Sequence, residues 1–86
     1  METKKTEKRG ETVVLLDYPI PFGEETISEI VLKRPKFKHI KNMGEGMKIK
    51  DLIQIASKVS AVPMAVFEEM ESPDVMKIAE ALGELL

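Results

Sequence analysis

No cysteine occurs in this 86-residue chain, which removes disulfides, thiolate metal sites and thiol nucleophiles together. A single imidazole, His39, remains, and its charged neighbours in sequence are lysines. A general base needs an orienting acceptor, so no catalytic residue is assigned and no enzyme activity is expected. Tryptophan is absent, and aromatics make up only 5% of the residues. No stretch approaches the roughly 20 apolar residues of a membrane-spanning helix. Lys4, Lys5, Lys8 and Arg9 precede an apolar segment, but Asp17, Pro19 and Pro21 break it too early for a secretory leader. The acidic cluster Glu68, Glu69, Glu71 and Asp74 lacks the alternating ligands and the glycine of a calcium loop. Gly44 and Gly46 have neither a preceding strand nor a following Lys-Ser or Lys-Thr. Neither a metal nor a cofactor is therefore expected.

What is present suits one small folded domain. Apolar residues make up 43% and charged residues 33%, a globular balance, and a chain of this length has material for one core only. The net charge of −2 is nearly neutral but unevenly spread. Residues 33–41 carry five positive side chains, and residues 68–84 carry six negative ones against Lys77.

Residues 1–11 are polar without an apolar period and read as a disordered arm, leaving residues 12–86 as a single α+β domain. Val14, Leu16, Tyr18, Ile20 and Phe22 occupy alternate positions, the mark of a strand with one apolar face. Pro19 and Pro21 supply no N–H, so this strand is an edge or leaves its sheet near Pro19. Gly23 offers a turn, and Thr26–Arg34 reads as a second strand, giving a β-hairpin. A lone hairpin is hardly stable in water and needs helices against one face. Three or four short helices follow. Pro35 opens one with Phe37, Ile40 and Met43 on its apolar side. The clearest runs from Lys48, with Ile49, Leu52, Ile53, Ala56, Val59 and Val62 as its stripe. Pro63 opens a further turn. Ser72 as N-cap, Pro73 at the first position and Asp74 in the first turn start the last helix, whose face is Val75, Ile78, Ala79, Leu82 and Leu85 or Leu86.

Two surfaces could bind a partner. Lys33, Arg34, Lys36, Lys38 and Lys41 surround Phe37 and His39, as basic and aromatic residues do in nucleic-acid sites. The spacing of Phe37 and Ile40 is explained more simply by a core anchor with its lysines in water, so nucleic-acid binding is the alternative reading. Methionine is the stronger signal, because its flexible, polarizable side chain adapts to varied apolar partners. Met64, Phe67, Met70 and Met76 are the candidate partner-binding residues; Met64 and Met70 read equally well as gap-fillers of a small core, whereas Met76 falls off the apolar face of its helix.

The order Leu16-Asp17-Tyr18-Pro19-Ile20, then Glu25 to Pro35 (ETISEIVLKRP), then Leu52-Ile53 and Val62-Pro63 before a leucine-rich end resembles the tail assembly chaperones of Mu-like and P2-like contractile-tailed phages. The likeness covers residues 14–86, and its most telling piece is Glu25 to Pro35. The glycine-containing stretch Met43 to Met47 departs from the pattern and leaves the spacing of the first two helices open. The resemblance implies a chaperone without catalysis that binds the tape measure protein and keeps its apolar helices from aggregating until the tube polymerises around them. It implies the host bacterial cytoplasm as the place of action, outside the mature virion. Tail tube or baseplate assembly proteins and further copies of the chain itself are the other partners it allows. In several such phages the chaperone is also made as a longer, frameshifted product.

Overall fold

The structure is a computed structural model and describes residues 7–8, 11–41 and 46–86. Strands β2 (Glu11–Phe22) and β3 (Glu25–Lys33) form the expected antiparallel hairpin. Gly23 has a φ of +66° and Glu24 does not share the positive value, the pattern of a type II′ turn, which a residue with a Cβ adopts only at a cost. Strand β1 (Glu7–Lys8) adds two residues alongside Thr12 and Glu11. Of the arm expected over residues 1–11, residues 1–6 and 9–10 lie outside the described residues, as does Met43.

The hairpin is not regular throughout. From Glu11 opposite Lys33 to Leu15 opposite Glu29 each residue has its partner, and the ladder resumes at Ile20 opposite Ile27. Between those points β2 advances by five residues and β3 by two, so β2 carries three extra residues around Asp17, Tyr18 and Pro19. Proline cannot donate to a ladder, and Pro19 falls in the irregular stretch, where prolines are tolerated in a sheet, while Pro21 stands opposite Thr26 after pairing resumes.

Four helices follow: α1 (Phe37–Ile40), α2 (Ile49–Ser60), α3 (Met64–Glu68) and α4 (Ser72–Leu85). Together with the hairpin they make the α+β arrangement read from the sequence. Asp51 starts α2 by accepting the backbone N–H of Lys48 at 3.0 Å, and Ala61 ends it in the left-handed conformation at φ +60°. Helices α2 and α4 pack on each other and on the hairpin. Ile30 and Leu32 of β3, Ile55 of α2, and Ile78 and Leu82 of α4 are fully buried at the centre, each contributing about 1.5–3 kcal/mol of transfer free energy.

Four apolar assignments need correction. Tyr18 and Phe22, expected on the buried face of β2, are 53% and 43% exposed, while Val14, Leu16 and Ile20 are buried. Tyr18 falls among the extra residues, which breaks the alternation. Phe22 sits at the tip of a 12-residue strand that outreaches helices of roughly 18–21 Å. Phe37, expected as a core anchor, is 74% exposed; α1 is a single turn with no buried residue, and only Ile40 packs against the core from it. Ile49 opens α2 and is exposed, whereas Ile55, outside the expected stripe, has no accessible surface. Helix α2 touches both β3 and α4, so its buried arc is wider than a stripe facing one neighbour.

Candidate functional site

The irregular part of β2 is held by α4. Asp74 lies in the first turn of α4 and is fully buried, a costly place for a carboxylate unless its oxygens are satisfied. One carboxylate oxygen accepts the backbone N–H of Asp17 at 2.9 Å and the other accepts that of Tyr18 at 3.0 Å. Neither residue has a partner in the β3 ladder, so one carboxylate satisfies the two consecutive amides of the irregular stretch. The same carboxylate sits at the positive end of the helix dipole. One turn on, the Lys77 ammonium donates to the Leu15 carbonyl at 2.7 Å and pairs with the Asp17 carboxylate at 3.2 Å. It also lies 3.5 Å from Asp74. Among the described residues no buried polar side-chain atom is left without a partner.

With its backbone pinned, Tyr18 presents an exposed ring at an open cleft. Tyr18, Pro19, Ile20 and Pro21 line one side, and Glu69 and Glu71, between α3 and α4, line the other, around about 230 Å³. The cleft joins apolar surface to two carboxylates, which suits an apolar side chain with a cationic neighbour. The sequence reading did not place Tyr18, Asp74 or Lys77 in any site. The paired prolines did signal that the strand departs from its sheet there, but not what would hold it.

The four candidate partner-binding residues do not form one surface. Phe67 and Met70 belong to the core at 3% and 8% exposure, Met64 is half-buried against that core, and Met76 is 53% exposed. Direct contact of Phe67 or Met70 with a partner would require α3 to lift from α2. Met76 instead stands open on the outer side of α4, the side that also carries Glu80 and Gly83.

The basic segment is split. Lys33, Arg34 and Lys36 line a second recess of about 260 Å³ with His39, Lys58, Val59 and Ala61, and Lys38 and Lys41 are not part of it. The Arg34 guanidinium donates to the Leu85 carbonyl at 3.3 Å, where it faces the negative end of α4. His39 accepts the backbone N–H of Lys36 at its Nδ1, at 2.9 Å, and so closes α1. No cluster able to hold a metal ion occurs among the described residues, and no helix among them is long and apolar enough to cross a membrane.

A hairpin fastened to its last helix by a buried carboxylate, with exposed apolar side chains on several elements, defines a small α+β module. The chain belongs to the phage tail assembly chaperone family: residues 12–86 match the family described as phage tail assembly chaperone proteins, E, or 41 or 14. Comparison with curated proteins and with solved structures gave no match.

Proposed function

We propose that the protein binds the tape measure protein of its own phage tail and keeps that protein's apolar helices from aggregating during assembly, without catalysis. The observation that carries the reading is the family match over residues 12–86. Exposed apolar side chains support it: Met76 on α4, half-buried Met64, and Tyr18 at its cleft. An amphipathic helix could lay its apolar face against such side chains, and the surrounding Glu69, Glu71 and Glu80 would favour basic residues on its flanks. On this reading Phe67 and Met70 hold α3 in place instead of touching the partner. The protein acts in the host cytoplasm and leaves before the virion is complete. Tail tube or baseplate proteins would meet it only through that complex.

Co-expression with the tape measure protein tests the proposal. The expected result is a recoverable complex and a larger soluble fraction of tape measure protein. Unchanged solubility with no complex would remove the idea.

A second reading, nucleic-acid binding through Lys33, Arg34, Lys36, Lys38 and Lys41, gains one observation from the structure: Phe37 is open among these cations. Arg34, however, is engaged with α4, and the net charge is −2. This reading requires salt-dependent retention of an oligonucleotide, and no binding at low salt would end it.

A further inference from the structure

The two edges of the hairpin are protected very unequally. On its outer side β2 has β1 against Glu11 and Thr12, then the irregular segment, then Pro19 and Pro21, all of which discourage another strand from pairing there. Strand β3 has no proline, and its segment Glu29–Lys33 is in regular register with β2. No backbone hydrogen bond joins the far side of that segment to any described residue. Ile30 and Leu32 have no accessible surface, so their N–H and C=O groups point into the ladder with β2. Those groups alternate in direction along an antiparallel strand, and the groups of Glu29, Val31 and Lys33 therefore point out from the free edge.

The side chains of these three residues are complementary to themselves. Turned end for end about Val31, the pattern Glu29, Val31, Lys33 sets Glu29 against Lys33, Val31 against Val31 and Lys33 against Glu29. Directly opposite charges and β-branched pairs are the favourable cross-strand combinations. On the same face, Val13 is opposite Val31 and Glu11 is opposite Lys33 within the chain. A second copy would thus extend a valine row across four strands and place each Lys33 between two glutamates. Charged residues at an edge commonly repel further strands, but charges of opposite sign in this order favour the self-matched register, since a slide of two residues loses both charge pairs and one of four sets Glu29 or Lys33 against its own copy.

We propose that two copies of the chain join edge to edge through β3, antiparallel about Val31, into one continuous sheet. Three facing pairs exchange about six backbone hydrogen bonds, and the interface is a small one. The pairing stands apart from the tape measure reading, since it uses neither Met76 nor the Tyr18 cleft.

Sedimentation equilibrium of the full chain tests it, across the micromolar to millimolar range in which interfaces below about 1,200 Å² associate. The expected result is a rise from 9.7 kDa to twice that mass. Glu29→Lys and Lys33→Glu should each hold the protein at the monomer mass, since each sets like charges opposite one another. The double variant, which restores opposite charges, should dimerise again. Circular dichroism of the single variants, matching the parent, separates lost pairing from lost folding. A parent that stays monomeric throughout overturns the proposal and leaves the edge to a strand of another protein. Dimerisation that persists in both single variants overturns it as well.

Discussion

At the scale of single residues, Asp74 is the side chain on which most depends. Its two oxygens serve two amides 57 and 56 positions away in sequence. Removing a buried acceptor leaves both donors exposed to the full cost of desolvation. Asp74→Ala should therefore lower unfolding free energy by about 3–5 kcal/mol, and Asp74→Asn by about 1–3 kcal/mol because the amide can accept only one of the two bonds. Chemical denaturation measures both, and a loss below half a unit of that scale for Asp74→Ala would show that water replaces the carboxylate. Nothing in the sequence around residue 74 announces this role. An aspartate after Ser72-Pro73 is explained well enough by the helix dipole, and the contact that distinguishes it comes from the other end of the chain.

At the scale of elements, what was legible was what is local. The glycine turn, the end of α2 ahead of Pro63 and the start of α4 are each set by residues within a few positions; the turn lies where it was expected, α4 begins one residue early with Glu71 and not Ser72 at its N-cap, and α2 ends at Ser60, two residues short of Val62. Burial was harder, because it depends on what the element meets. Helix α2 shows the difference: Ile49 and Ile55 are the same residue type, yet one is 44% exposed and the other has no surface. Ile55→Ala should cost about 2–5 kcal/mol and Ile49→Ala under about 1 kcal/mol. A thermal or urea unfolding series would reverse that order only if α2 were turned about its axis. Phe37 carries the same lesson in α1, where an i and i+3 pair fits a buried face but one turn of helix brings only Ile40 to the core.

For the whole molecule, the family and the α+β architecture were within reach of the sequence, and the binding surface was only partly so. Met76 could be separated from the core because it falls on the wrong side of a long, clear helical pattern. Met70 and Phe67 lie on a five-residue helix and its exit, where no pattern is long enough to separate inside from outside. The consequence is a testable division of labour. Met76→Ser should leave the unfolding free energy within about 0.5 kcal/mol of the parent, as surface changes usually do, while weakening recovery of the tape measure protein in a pull-down. A large stability loss would assign Met76 to packing, and undiminished capture would remove it from the binding surface.

The fastening of β2 by α4 also governs the order in which the molecule can be completed. The strand that leaves the ribosome early is finished by a helix that leaves it late, because the amides of Asp17 and Tyr18 have only water as a partner until Asp74 arrives. A nascent hairpin is thus a draft that α4 corrects, and strand and helix should be lost in one cooperative step when the protein unfolds.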